Sequence, residues 1–135
     1  MECVEVRVQV LVREKRETSA SMSYQNIIGW QKSMDLVVKV YEVTLKLPNS
    51  EKIGLFQQMR RVSTIIPSNI AEGYGRFTKA DFARFIDIAL GSTRELQTQL
   101  QICHRLKYGD TGDLVLKADE VARIIFGLVQ SLRKM

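Results

Sequence analysis

The sequence predicts an all-α protein, an antiparallel up-and-down four-helix bundle. Four blocks of roughly 20–30 residues carry apolar residues at alternating three- and four-residue steps, which is the spacing of one helix face. Prolines, glycines and small polar residues separate these blocks. The connections are short, so successive helices should be antiparallel neighbours. The 135 residues, 45% hydrophobic and 26% charged, suit a single domain with one core.

The first 22 residues differ from the rest. Valines at positions 4, 6, 8, 10 and 12 alternate with other residues, which is a strand-like period. A lone strand has no pairing partner in a helical chain and is unstable in water. Two interpretations stay open: a strand that pairs with another copy, or an extension outside the domain, with Met22 as the real start. We expect residues 1–22 to be a poorly ordered or strand-like extension and residues 23–135 to form the bundle.

The first two blocks are predicted as helices over about residues 26–47 and 51–72. The core face predicted for the first consists of Trp30, Met34, Val37, Tyr41 and Leu45. That of the second consists of Leu55, Met59, Val62, Ile66 and Ile70. Pro48 should end the first helix, and Gly73 should end the second as a left-handed C-cap.

The last two blocks are predicted over about residues 79–107 and 113–133. Thr78 is the expected N-cap of the third, with Asp81 three residues on. Its core face consists of Phe82, Phe85 or Ile86, Ala89, Thr93, Leu96, Leu100 and Cys103. The fourth has a heptad-like seam of Leu114, Ala118, Val121, Ile125, Leu128 and Leu132. Asp113 at its start, and Arg133 and Lys134 at its end, suit the helix dipole.

Residues 60–76 carry the most specific motif of the chain, the run Ser68-Asn69-Ile70-Ala71-Glu72-Gly73. This stretch resembles the signature of the bacterial four-helix bundle family named after the 23S rRNA intervening sequence. The resemblance extends over about residues 26–132. It includes further matches at Trp30, Gln31, Lys32, Pro48, Glu51, Leu55, Gln58, Phe85, Ala89, Leu90, Gly91, Ser92, Glu95, Leu96, Gln99, Leu100, Gly127 and Leu128.

This resemblance implies a homo-oligomer. Members of the family are expected to assemble into rings, with pentamers as the expected form, and no catalytic activity is attributed to them. The accessory variability determinant of diversity-generating retroelements is similar in fold, and it binds nucleic acid and a reverse transcriptase. The resemblance therefore implies RNA, DNA or another protein as a partner.

The net charge of +5 and the pI near 9.4 permit an anionic partner. The extension carries four basic and four acidic residues, so the excess belongs to the predicted bundle. Six basic residues are expected to flank the junction of the second and third blocks, where phosphates would bind with counterion release: Lys52, Arg60, Arg61, Arg76, Lys79 and Arg84. The alternative is a solvated basic face, or Arg61 paired with Glu72 or Glu95.

Two other groups are predicted to be structural or to contact another subunit. One surrounds Pro67, which removes a backbone donor that side chains could compensate, and consists of Pro67, Ser68, Asn69, Glu72 and Gly73. It forms either a bend with a cap or a contact between subunits. The other consists of Gly91, Ser92 and Glu95. A glycine inside a helix costs about 1 kcal/mol against alanine, so we expect a close helix approach at Gly91, within the bundle or between subunits.

Catalytic and metal-binding constellations are not expected. His104 is the single histidine, and no Glu-x-x-His pair occurs, whereas di-iron bundles require such pairs. Two cysteines, Cys3 and Cys103, fit a reducing, cytoplasmic compartment. No apolar run approaches the roughly 18 residues of a membrane span. Aromatic residues at helical spacing are expected in the core or a subunit interface rather than under nucleic-acid bases: Trp30, Tyr41, Phe56, Phe82 and Phe85.

Three functional hypotheses follow. The first is a non-enzymatic oligomeric bundle that binds structured RNA or DNA through a basic surface, without a cofactor or metal. The second is a ring-forming protein-interaction scaffold with little or no nucleic-acid binding. The third, an enzyme, is disfavoured because no acid, base, nucleophile or metal set converges.

Overall fold

The computed structural model of the chain describes residues 23–47 and 54–134. A short 3-10 turn, Tyr24–Asn26, precedes the first helix. Four helices follow: α1 Ile28–Lys46, α2 Leu55–Tyr74, α3 Lys79–Arg105 and α4 Gly112–Lys134. The predicted extension, the turn at Pro48 and the predicted site residue Lys52 lie outside the described residues.

The four helices form a bundle in which each helix packs against two neighbours. The packed pairs are α1–α2, α2–α3, α3–α4 and α4–α1. Short connections make consecutive helices antiparallel, and no strand occurs within residues 23–47 and 54–134. The prediction of an all-α up-and-down four-helix bundle is confirmed.

The core stripes predicted for α2, α3 and α4 are confirmed. Met59, Ile66 and Ile70 on α2 are fully buried, and each of the six seam residues of α4 is at most 2% exposed. On α3 the core residue is Ile86, whereas Phe85 is half-buried. Cys103 is buried with its Sγ 3.7 Å from Sδ of Met59. Burial of these large side chains, at about 1.5–3 kcal/mol each, supplies most of the favourable free energy of folding.

The core face predicted for α1 is wrong. Leu36 and Val40 point into the core, together with the small residues Gly29, Ser33 and Thr44. Much of the predicted stripe faces outward instead, with Leu45 at 74% exposure. The physical reason is that α1 has apolar residues on two faces. Periodicity locates both faces but does not say which one meets the other helices.

The predicted N-cap of α3 is confirmed, because the Thr78 hydroxyl accepts a hydrogen bond from the Asp81 amide at 3.1 Å. The predicted left-handed cap at Gly73 is wrong. Gly73 lies within α2, and Gly75 follows the helix with φ −75° and ψ −5°, which is right-handed. Gly73 is instead a close-packing residue. An added Cβ there would lie 2.7 Å from Cβ of Phe85, so only glycine lets α3 approach this closely.

Candidate nucleic-acid interface

A group of basic side chains gathers at the end of the bundle where α2 stops and α3 starts. The last turn of α4 reaches the same end because α3 and α4 are antiparallel neighbours. A shallow depression of about 340 Å³ lies there, lined by Lys79, Ala80, Ala83, Arg84, Asp87, Leu132 and Arg133. We call this surface the basic end and define it by five residues: Arg76, Lys79, Arg84, Arg133 and Lys134.

Phe85 holds two of these arginines in place. The guanidinium carbons of Arg76 and Arg84 each lie 4.6 Å from the centre of the Phe85 ring. A cation over an aromatic face is stabilised by about 0.5–1 kcal/mol at an exposed site. Two arginines from different segments, the loop after α2 and the body of α3, are therefore positioned by one ring.

Three carboxylates partly offset the charge of the basic end. Glu72 accepts a hydrogen bond from Arg76 at 2.6 Å, Asp81 lies 3.6 Å from Nε of Arg84, and Asp87 pairs with Arg133. These pairs are exposed, so each contributes at most about 1 kcal/mol and is easily exchanged. Because a guanidinium has five donor hydrogens, one carboxylate does not exhaust its capacity. These three pairs engage Arg76, Arg84 and Arg133.

The structure does not bring all six predicted basic residues together. Arg60 and Arg61 lie near the start of α2, about 20 Å along the helix from its last residue, Tyr74, at a rise of about 1.5 Å per residue. Arg60 donates from Nε to the Thr44 hydroxyl at 2.8 Å and lies 5.3 Å from the Tyr41 ring centre. The placement of Arg60 and Arg61 at the junction was wrong, because about two thirds of α2 separates them from it.

Arg61 is exposed, and the pairing considered for it with Glu72 does not form, since Glu72 binds Arg76. Arg60 instead joins α1 to α2 through Thr44. Of the predicted basic set, the structure groups only Arg76, Lys79 and Arg84.

Sequence reasoning missed two residues of this surface and one that lies beside it. Arg133 and Lys134 were assigned only to the helix dipole, although the antiparallel topology places the end of α4 beside the start of α3. Phe77 was overlooked because it lies in the loop between α2 and α3, outside any helical spacing. Its side chain is fully exposed, more than any other large apolar residue in the described part of the chain.

The residues around Pro67 satisfy local backbone groups. The helix continues through Pro67, which has no amide hydrogen for the carbonyl of Ser63. The Ser68 hydroxyl donates to the Thr64 carbonyl at 2.7 Å, and the Asn69 amide donates to the Ile65 carbonyl at 2.9 Å. These contacts favour the structural interpretation of Ser68 and Asn69 within one subunit.

Gly91 does not serve close packing inside the bundle. It is exposed, and an added Cβ would meet nothing within 4 Å. Ser92 is half-buried and Glu95 is exposed on the same helix. The expectation of a close helix approach at Gly91 within one subunit is therefore wrong, since the neighbouring helices lie on the other side of α3.

Other features of the described residues are limited. No cluster of three His, Cys, Asp or Glu side chains suited to a metal ion occurs in residues 23–47 and 54–134. Over the same ranges no helix combines the length and apolarity that a bilayer crossing requires.

A second depression of about 260 Å³ lies between α3 and α4, where the Gln97 amide donates to Asp119 at 2.7 Å.

The fold and this surface define a class: small helical-bundle proteins with a cationic end. The family model described as "23S rRNA-intervening sequence protein" matches residues 25–127 of the chain. That match covers all of α1, α2 and α3 and most of α4, so the chain belongs to this family. The family is not a known family of enzymes. No curated protein matches the chain at a significant level.

Proposed function

We propose that this protein is a non-enzymatic, homo-oligomeric four-helix bundle of the cytoplasm that binds structured RNA or DNA through its basic end. The observation that carries the proposal is the grouping of Arg76, Lys79, Arg84 and Arg133 around one depression and one aromatic ring. The family name, with its reference to 23S rRNA, supports RNA in particular.

Phosphates suit this surface chemically. Arginine presents a planar fork of donors that matches phosphate oxygens, and it exchanges exposed carboxylates for phosphates at little cost. Each neutralised phosphate releases condensed counterions, so the affinity should fall steeply with salt.

The test replaces three charges together: Arg76→Gln, Lys79→Gln and Arg84→Gln. We expect binding of a labelled RNA hairpin, measured by fluorescence anisotropy, to be lost near physiological salt. At low salt the slope of log K against log salt should decrease by about 2–3, because each phosphate contact contributes about 0.7–0.9. Unchanged affinity in this triple variant would remove the proposal.

A matched control removes the same number of charges elsewhere. Lys46, Arg105 and Arg123 are exposed and lie outside the basic end. Their combined replacement by glutamine lowers the net charge equally and should leave most of the affinity and the salt slope intact. An equal loss in both triple variants would mean that net charge, not the basic end, governs binding.

Oligomerisation is supported by the outward face of α1. Met34, Val38, Tyr41 and Leu45 follow one another at i, i+4, i+7 and i+11, and all are exposed, Val38 at 55% and Leu45 at 74%. Four apolar residues on one solvent-facing stripe resemble a helix-packing seam without its partner. We propose that a second copy of the chain covers this stripe in a ring, for which the family resemblance suggests five subunits.

The stripe is tested by placing charge on it. Val38→Glu with Leu45→Glu should reduce the solution mass to that of the monomer, measured by light scattering with size-exclusion chromatography. Leu116 and Phe126 on α4 are exposed to 69% and 42% and lie off the stripe, so Leu116→Glu with Phe126→Glu is the matched control and should keep the mass. A wild-type monomer at micromolar concentration would contradict the ring.

The α1 stripe also favours a second candidate function, a ring that recruits another protein and binds nucleic acid weakly or not at all. This scaffold hypothesis predicts the same oligomer but no salt-sensitive hairpin binding. The two functions are therefore separated by the anisotropy experiment, while the mass measurement tests the ring that both share.

A further inference from the structure

Phe77 is the least buried large apolar side chain among the described residues, and it lies in the loop between Arg76 and Lys79 of the basic end. It follows Arg76 directly and precedes Lys79 by two residues. A fully exposed phenylalanine forgoes the burial that the other phenylalanines obtain, since Phe56 and Phe82 are buried, Phe85 is half-buried and Phe126 is only 42% exposed. Single exposed apolar residues are common on surfaces, so the flanking cations are what make this position informative.

The loop that carries Phe77 is short and held at both ends. Tyr74, the last residue of α2, is buried with its ring edge-to-face against Phe82 at 6.0 Å. The Gly75 and Arg76 amides donate to the Glu72 and Gly73 carbonyls at 3.2 and 3.1 Å. Thr78 then caps α3. A ligand can therefore pack against an aromatic ring on this loop without the entropic cost of ordering a flexible segment.

An aromatic ring beside cations matches the chemistry of an unpaired nucleotide. The base has an apolar π face that stacks on an aromatic side chain, while its phosphate binds the cation. Paired bases in a duplex are already stacked on one another, so only a loop, bulge or single-stranded end can offer such a face. A purely electrostatic phosphate surface would need no fully exposed aromatic residue.

We propose that Phe77 is a stacking platform for an unpaired base, and that the ligand of the basic end is therefore a nucleic acid with single-stranded nucleotides, such as an RNA hairpin loop. This inference rests on the proposed function and specifies its ligand. Phe77 supplies the stacking surface, and Arg76 and Lys79 bind the adjoining phosphates.

The test compares three ligands and three substitutions by fluorescence anisotropy. The ligands are an RNA hairpin with an unpaired loop, a blunt RNA duplex with the same number of phosphates, and the DNA hairpin of the same sequence. Phe77→Ala and Phe77→Leu should weaken hairpin binding by about 10- to 100-fold, the effect of losing one stacked base. Both should change duplex binding less than about 2-fold. Phe77→Trp retains a ring and should keep the affinity.

Phe77→Ala should leave the salt slope unchanged, because it removes no phosphate contact. Equal weakening for the RNA and DNA hairpins identifies the base face as the recognised group. A preference for RNA that survives the substitution assigns RNA selectivity to other residues, and either result supports the platform.

Other outcomes would overturn the inference. If Phe77→Ala binds the hairpin like the wild type while the triple charge variant does not, stacking is wrong and the proposed function stands. If the wild type binds none of the three ligands, the proposed function itself fails. If Phe77→Ala lowers the solution mass, Phe77 is a contact between copies of the chain rather than a base platform.

Discussion

Replacement by alanine should lower the unfolding free energy at one helical glycine and raise it at another. Gly73 lies near the end of α2 against α3, and Gly91 lies on the exposed side of α3. Alanine is the better helix former at both positions, by up to about 1 kcal/mol. The sign of each change in stability is therefore decided by what the added methyl group meets.

At Gly73 the methyl group has no room. It would lie 2.7 Å from Cβ of Phe85 and 3.2 Å from the carbonyl oxygen of Phe82. Both atoms move only with the backbone of α3, so the two helices must separate. Overpacking of this kind costs about 1–3 kcal/mol, and the rigid obstacle places Gly73→Ala in the upper part of that range. After the helical gain is deducted, we expect a net loss of about 1–2 kcal/mol of unfolding free energy.

At Gly91 nothing lies within 4 Å of the added methyl group. Gly91→Ala should therefore raise the unfolding free energy by up to about 1 kcal/mol. Urea unfolding followed by far-ultraviolet circular dichroism measures both values, at two protein concentrations because assembly also stabilises the folded state. A Gly73→Ala variant as stable as Gly91→Ala would refute the close approach of α2 and α3.

Gly91→Ala also tests the subunit-interface hypothesis for this position. If a neighbouring copy packs against Gly91, the substitution should lower the solution mass while the stability of the isolated bundle increases. An unchanged mass together with higher stability would leave Gly91 without an assembly role.

Three further predictions concern the core, a helix end and a thiol. Ile125→Ala should lower the unfolding free energy in urea by about 2–5 kcal/mol, because this side chain is fully buried. Thr78→Ala should cost about 1 kcal/mol in the same assay through loss of the α3 cap, whereas Thr78→Ser should be nearly neutral. Cys103 is buried. In a Cys3→Ser variant, its thiol should therefore react with a thiol reagent only as fast as the protein opens. Rapid modification in native buffer would contradict the buried position of Cys103.

The sequence predicts most of the fold because three helices each have a single apolar stripe. On α2 the apolar residues from Leu55 to Ile70 recur at three- and four-residue steps, and the remaining positions between them are mostly polar or charged. Only one face of such a helix can be buried, so periodicity fixes its orientation. The cap at Thr78 was also predictable, because a hydroxyl residue before a helix start has few other roles.

The candidate site was less predictable, because its residues come from segments far apart in the chain. Arg76 and Arg133 are brought to the same end only by the order and direction of the helices. Arg60 was misplaced since proximity along the chain suggested proximity in space, although α2 carries it away from the junction. Phe77 follows no period, so its full exposure is visible only once the ends of α2 and α3 are fixed.

The wrongly predicted core face of α1 bears on the proposed assembly of the protein. A helix that belonged only to one subunit would be expected to bury its most apolar stripe, yet α1 directs Gly29, Ser33 and Thr44 inward and Met34, Tyr41 and Leu45 outward. Small inward residues let α1 lie close to α2 and α4, while larger apolar residues stay in water. Exposing such a stripe is unfavourable for a monomer. The same sequence pattern that misled the assignment of the core face is therefore the one expected if α1 packs against both its own bundle and a second copy.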